Sequence, residues 1–188
     1  MEASNYDQDD LNNAILCDWK EARGDGHAAM NAVAHVIFNR GGAAGFAKTL
    51  HQAIYGKFSS MSICTDPEYN LGAPSVTDRE YASYVAATNI VEAVAERTDS
   101  DPTNGARYCA NLKESTSGWF VRHIVNDPVT HPKRAIVGHQ VFTRKRIGAW
   151  WHILRRNRCS VLLLISSRMS IHECNHRECS PGSYHRAS

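Results

Sequence analysis

The sequence predicts an α+β fold that is predominantly helical, with a small β element late in the chain. In its first half, apolar residues recur at helical spacing in several long segments. The short extended segments come later, between residues 107 and 143. The chain has 188 residues, of which 43% are hydrophobic and 21% are charged, so it is long enough for one domain with a sizeable core.

Four segments are predicted as helices. Residues 11–23 carry an apolar stripe and end at a glycine, and residues 27–40 follow the spacing of a core-facing helix. Residues 46–56 form a third, short helix. The fourth helix spans residues 79–97, and we expect Asp78 to be its N-cap. The body of the protein is therefore expected to be built on helix packing.

The segment 57–77 lacks periodicity and contains Pro and Gly, so it is predicted to be irregular. Residues 101–106, DPTNGA, form a predicted turn. The two pieces that follow the turn, RYCANL and HQVFT, are predicted to be short strands or extended segments.

The charge is distributed unevenly along the chain. Residues 1–143 carry a net charge of −5, and residues 144–188 carry +7. We therefore divide the chain into a body, 1–143, and a basic, Trp-containing tail, 144–188. Such a tail is expected to meet an anionic surface, which could be a membrane interface, lipopolysaccharide, teichoic acid or nucleic acid; the first two are preferred, and no dedicated nucleic-acid partner is assigned. Two alternatives are a terminal helix packed on the body and a segment that is not native to the domain.

The tail also holds four potential zinc ligands, but their spacing matches no standard finger, so no metal site is assigned: His172, Cys174, His176 and Cys179. No cofactor is expected. The first thirteen residues are acidic and polar and do not resemble a secretory signal. The longest apolar run, VLLLI, is too short to span a bilayer.

Glu21 is the strongest candidate for chemistry. It lies at the end of a predicted helix and is followed by a Gly-Asp-Gly break, so the irregular segment has room to fold over it. Partial burial raises the pKa of a carboxyl group, and a protonated carboxyl can donate to a leaving-group oxygen. Glycosidic bond cleavage uses this chemistry. The alternative is a structural glutamate paired with Arg23 or Arg40.

Four ordered blocks of the sequence resemble the SleB/CwlJ-type cell-wall hydrolases, the spore-cortex lytic enzyme family. The blocks are EARGDG with the helix that follows it, TLHQAIYGKFSS, DPTNGARYCAN and GHQVFT. Together they cover about residues 11–143. The resemblance implies a fold similar to lysozyme-like lytic transglycosylases and an enzyme that cleaves the glycan strands of peptidoglycan between MurNAc and GlcNAc.

The resemblance also implies roles for individual residues. Glu21 matches the catalytic glutamate. The positions that match the family's cleft and its neighbouring segments are assigned to substrate binding: Phe58, Ser59, Asp101, Thr103, Asn104 and His139. The sequence departs from the family at Lys57, where Gln is common, and at Ala110, where His is frequent. Neither departure involves the acid.

Asp25 is predicted to be a poor second carboxylate, because Gly24 separates it from the helix that carries Glu21. Hydrolytic muramidases commonly need two placed carboxylates. A lytic transglycosylase needs one, so we predict that reaction. The alternatives are a hydrolytic muramidase and a cell-wall-binding module without catalysis.

The expected biological setting is that of a phage endolysin. Such a protein is made in the host bacterial cytoplasm without a signal peptide and acts in the periplasm or cell wall. A monomer is expected.

Overall fold

The computed structural model describes residues 6–113 and 121–145, all of which belong to one of the two compact units into which the chain divides. The tail beyond Lys145, with its predicted envelope contact and its four potential zinc ligands, lies outside the described residues. About half of the described residues are helical, and they are joined by a small three-stranded antiparallel sheet, so the predicted fold class is confirmed.

The N-terminal half holds the long helices α1 and α2. Helix α1 spans Gln8–Ala22, and a 3₁₀ turn, Arg23–Asp25, follows it directly. Asp7 caps α1 by accepting a hydrogen bond from the Asp10 N–H at 2.7 Å, and this cap explains why α1 begins earlier than predicted. Helix α2 is His27–Arg40, as predicted.

Three further α-helices follow within the described residues. Helix α3 is Leu50–Lys57, α4 is the short Ser59–Ser62, and α5 is Tyr81–Ala95. The predicted cap of α5 is wrong: the Asp78 carboxylate accepts from the Ser75 N–H within the preceding loop, and α5 starts two residues later than predicted, without a side-chain cap. Helices α1, α2 and α5 pack against one another.

The sheet has the strand order β1-β3-β2, with all neighbours antiparallel. Strand β1 is Tyr108–Asn111, β2 is Lys133–Val137 and β3 is Gln140–Thr143. A π-helical turn, Val121–Val125, lies between β1 and β2 in the chain. The sequence predicted β1 and β3. It did not predict β2, which pairs with β3 around an irregularity in register.

The core joins the helices to the sheet. Its fully buried side chains come from both parts and include Val33, Ile37, Ile54, Val91 and Phe142. The side-chain amide of Gln140, at the start of β3, donates to the Glu21 carbonyl at 3.3 Å and so holds the start of β3 near the C-terminal end of α1. The candidate site lies between these two places.

Candidate functional site

Glu21 lies in the last turn of α1 with its side chain partly buried. Its Oε1 accepts a hydrogen bond of 2.6 Å from the Ser60 hydroxyl. Ser60 belongs to α4, the four-residue helix that follows α3, and is itself buried. The carboxyl group is therefore fixed in one orientation while it remains in contact with a cleft.

Burial raises the pKa of Glu21 above its ordinary value. The Ser60 hydrogen bond and the positive charge of Arg40 oppose this effect, because both stabilise the ionised form. Arg40 is itself buried, with its guanidinium 4.2 Å from the ring centre of Phe58. A carboxyl group with a raised pKa and an open side is suited to donating a proton.

The cleft has a volume of about 380 Å³. Its lining is polar and carries both signs of charge, which suits a substrate rich in hydroxyl and amide groups. The lining residues are Lys20, Glu21, Arg23, Gly24, Asp25, Glu68, Glu80, Asn111, Lys113 and His139.

One wall of the cleft is made by the irregular segment, which folds over the end of α1. Arg23 pairs with Glu68 at 2.6 Å and lies 3.6 Å from Glu80. Lys20 donates to the Tyr69 carbonyl at 3.1 Å, and burial lowers the pKa of its ammonium group. Arg23 is thus engaged with other carboxylates, and the proposed structural pair between Glu21 and Arg23 does not form.

The opposite wall is the end of the sheet, and it holds Asp25. Asn111 and Gln140 donate to Asp25 Oδ2 at 3.2 and 3.3 Å, and His139 Nδ1 lies 3.0 Å from Oδ1. Asp25 is therefore held in place, although the break at Gly24 predicted otherwise, and its unsuitability as a second carboxylate stays a prediction. Gly24 does not free the chain, because it lies within the 3₁₀ turn that follows α1 directly, and this turn brings Asp25 into the same cleft as Glu21.

The predicted pair Phe58 and Ser59 does not line the cleft. Phe58 is 3% exposed and packs in the core beneath Arg40, and the Ser59 residue is exposed. The next residue, Ser60, holds Glu21 instead. A one-residue offset separates the predicted contact from the observed one. A role of Ser59 in substrate binding stays a prediction, which this placement does not favour.

The predicted turn residues Asp101, Thr103 and Asn104 also lie outside the lining of the cleft. The Asp101 carboxylate accepts from the Thr103 N–H at 2.7 Å and from the Gly105 N–H at 2.7 Å, so it organises the turn before β1. Thr103 is fully buried, and Asn104 has a φ of 57°. These contacts give the three residues a structural role, and substrate contact stays a prediction.

His139 is the predicted binding residue that the structure does bring to the cleft. It lies in the turn between β2 and β3, beside Gly138, and not within a strand. Sequence reasoning missed Ser60, Asn111 and Gln140, although each lies within one of the recognised blocks, and that position was their only signal.

No group of three or more His, Cys, Asp or Glu residues that could hold a metal ion occurs within residues 6–113 and 121–145. In the same part of the chain, no helix has both the length and the apolar character needed to cross a membrane.

A model of the family described as Cell Wall Hydrolase matches residues 24–136. The chain belongs to this family. The matched segment begins three residues after Glu21, so the cell wall hydrolase match covers Asp25 and Asn111 but not the candidate acid. A search among curated proteins returns no match to the sequence.

Two solved structures are similar to this cell wall hydrolase. The catalytic domain of the germination-specific lytic transglycosylase SleB from Bacillus anthracis is 25% identical with a TM-score of 0.54, and the alignment covers 74% of this chain and 98% of that one. The catalytic domain of the Bacillus cereus SleB protein is 26% identical with a TM-score of 0.54, and the alignment covers 76% and 95%.

These similarities confirm three predictions. The chain is a SleB/CwlJ-type cell-wall hydrolase, it is an enzyme of peptidoglycan degradation, and its fold resembles the SleB catalytic domain. The alternative of a wall-binding module without catalysis is not favoured by a family of hydrolases.

Proposed function

We propose that this cell wall hydrolase is a lytic transglycosylase that cleaves the MurNAc-GlcNAc bond with Glu21 as its single acid and base. The observation that carries the proposal is the environment of the Glu21 carboxyl group. Its carboxyl group has a raised pKa, is held by Ser60 and opens onto a polar cleft. The likeness to SleB, a lytic transglycosylase, supports the same reaction.

In this mechanism Glu21 donates its proton to the glycosidic oxygen as the bond from that oxygen to C1 of MurNAc breaks. The leaving GlcNAc keeps the proton, and positive charge develops at C1. The ionised Glu21 then removes the proton from the 6-hydroxyl of the same MurNAc. The freed oxygen bonds to C1 and closes a 1,6-anhydro ring. Glu21 returns to its protonated state, and no water is consumed.

Asp25 is the observation that favours a second candidate, a hydrolytic muramidase. A second carboxylate in the cleft is what a hydrolase uses to activate water or to attack C1. The side chain of Asp25 is 9% exposed, however, and both of its oxygens are engaged by Asn111, Gln140 and His139. A carboxylate committed to these contacts is poorly placed to receive a proton from water, so we favour the transglycosylase.

The products separate the two reactions. Purified peptidoglycan is digested with the full chain, and the fragments are analysed by mass spectrometry. We expect anhydro-muramic ends, which weigh one water less than hydrolysed ends. Reducing muramic ends without anhydro ends would contradict the transglycosylase and favour the muramidase. Intact glycan would contradict both.

The basic tail is proposed to hold the enzyme to an anionic envelope. The support is the net charge of +7 over residues 144–188, together with its tryptophans. Truncation after Lys145 keeps Arg144, which lies against Gly105. We expect the truncated enzyme to cleave purified peptidoglycan normally. It should bind vesicles that contain lipopolysaccharide or phosphatidylglycerol less tightly at low salt, and the difference should shrink at high salt. Equal binding would overturn this role.

The proposed setting is a phage endolysin, made in the host cytoplasm and acting in the periplasm or cell wall. The charge asymmetry between body and tail supports an envelope-directed protein. The test is expression in a Gram-negative host with and without a pore-forming lysis protein. Lysis is expected only with the pore, and lysis without it would contradict the proposal. The predicted monomer is checked by light scattering.

A further inference from the structure

The carboxylate of Asp25 is surrounded by donors that come from the sheet. Asn111 ends β1, Gln140 begins β3, and the two are partners in the β1-β3 register. Both side-chain amides donate to Oδ2, at 3.2 and 3.3 Å. His139 precedes Gln140 and places Nδ1 3.0 Å from Oδ1. Each oxygen of Asp25 therefore has its own partners.

This arrangement determines which nitrogen of His139 carries the proton. An ionised carboxylate only accepts hydrogen bonds, so Nδ1 must be the N–H that donates to Oδ1. In a neutral imidazole the other nitrogen, Nε2, then has no proton and presents a lone pair. Asp25 thus selects the tautomer of His139.

The selected lone pair is available to a ligand. The side chain of His139 is 60% exposed and lines the cleft that contains Glu21. Within the described residues, Nε2 has no hydrogen-bond partner. By contrast, the side chain of Asp25 is 9% exposed, and both of its oxygens already have hydrogen-bond partners. Asp25 therefore holds His139 in place, and His139 is the side chain exposed to the cleft.

The backbone adds to this fixation. Gly138 has a φ of 58° and lies 3.7 Å from Asp25, measured from the position that a Cβ would occupy. Gln140 also donates to the Glu21 carbonyl at 3.3 Å. The turn that carries His139 is therefore attached both to the 3₁₀ turn and to the end of α1.

We propose that Asp25 is a positioning residue that orients His139 so that Nε2 accepts a hydrogen bond from a hydroxyl group of the bound glycan strand. The inference rests on the proposed function, because it takes the cleft beside Glu21 as the glycan site. It assigns to Asp25 a role in substrate binding through His139 and no proton transfer.

The test is a double-mutant cycle measured as binding. All proteins carry Glu21→Gln, so that the glycan stays intact, and the probe is purified peptidoglycan sacculi in a co-sedimentation assay. We expect His139→Ala to weaken binding about three- to tenfold, the effect of losing one hydrogen bond. Asp25→Asn should weaken it less, because its amide reverses the tautomer and a sugar hydroxyl can still accept from Nε2–H.

The double variant decides the inference. If Asp25 acts through His139, Asp25→Asn should add no further loss once His139 is alanine. Losses that multiply would overturn the proposal, as would no loss in either single variant. The control is His51→Ala, an exposed histidine on α3 outside the cleft, which should bind normally. Melting curves of all variants separate a binding effect from unfolding.

A spectroscopic readout tests the tautomer directly. Long-range ¹H–¹⁵N correlation spectra at mildly alkaline pH should show His139 protonated at Nδ1, and at Nε2 in Asp25→Asn. Protonation at Nε2 in the protein with Asp25 would overturn the inference. The double-mutant binding cycle tests this inference, and the mass-spectrometric digest tests the proposed function, so either can fail without the other. Absence of anhydro ends with an intact cycle would remove the transglycosylase and keep the glycan contact.

Discussion

Asp18 and Glu21 are carboxyl groups one turn apart on the same helix, yet their surroundings differ. Asp18 is fully buried, and neither of its oxygens has a well-formed hydrogen bond among the described residues. Burial raises its pKa well above the ordinary value, and the charge of Glu21 raises it further. Glu21 has a raised pKa as well, but it contacts the cleft and is held by Ser60.

The comparison separates two consequences of burial. In both residues, removal from water favours the neutral form. Only Glu21 can exchange its proton with a substrate, because only Glu21 lines the cleft. A raised pKa is therefore not sufficient to identify a catalytic acid, and access to the cleft decides between the two.

The largest expected effect is that of Glu21→Gln. The amide has almost the same shape but cannot donate the proton, so the rate of peptidoglycan cleavage should fall by at least about 10²–10⁴. Turbidity reduction and the release of anhydro ends measure the loss. A melting temperature close to that of the unsubstituted protein shows that the fold is intact. Retained cleavage would remove Glu21 from the mechanism.

Asp18→Asn should leave the rate unchanged and increase stability. Because the folded pKa of Asp18 is raised, the folded protein keeps this proton longer than the unfolded chain, so unfolding free energy declines as pH rises above about 4. The neutral Asn removes this decline. At pH 7 we therefore expect the Asn variant to have the higher melting temperature.

The pH dependence makes the Asp18 prediction specific. At acidic pH both proteins carry a neutral side chain, so their melting temperatures should converge. A constant difference at every pH would show that packing, and not ionisation, distinguishes the two. A loss of activity in Asp18→Asn would contradict the assignment of Asp18 to the core alone.

A small effect, mainly on the pH profile of activity, is expected for Ser60→Ala. Its hydroxyl stabilises the ionised Glu21, so its removal should raise the pKa of Glu21 further. Since the acid must be protonated to act, the alkaline limb of the activity profile should move to higher pH, with a rate change below about tenfold. Ser59→Ala is the matched control, and its profile should not move. A shift in Ser59→Ala alone would favour the predicted contact over the observed one.

The sequence predicted long elements better than short ones. Helix α2 was located to the residue because fourteen positions carry a consistent apolar face between glycines. Helix α4 has four residues, and β2 has five with an irregular register. Both are too short for a periodic pattern of apolar residues to be recognised in the sequence. In both cases tertiary contacts determine the structure.

The same limit applies to the candidate site. Glu21 was singled out from its place at a helix end, a local signal, and was assigned as the acid from the family resemblance. Asp25 was rejected from a local signal too, since a glycine commonly ends a helix. Its hydrogen-bond partners Asn111 and Gln140 lie more than 80 residues away along the chain, and the sequence near Asp25 does not predict these contacts. The tail was recognised only by its charge and remains a prediction.

The bond between Gln140 and the Glu21 carbonyl joins residues 119 positions apart, and it bears on the order of assembly. Contacts of such long sequence separation form late, because the chain must first close a large loop. Helices α1 and α2 can pair early from adjacent segments and already carry the acid. The opposing wall arrives only when β3 docks. We therefore expect the reactive group to be in place before the cleft is complete, with the docking of β3 as the step that creates the enzyme.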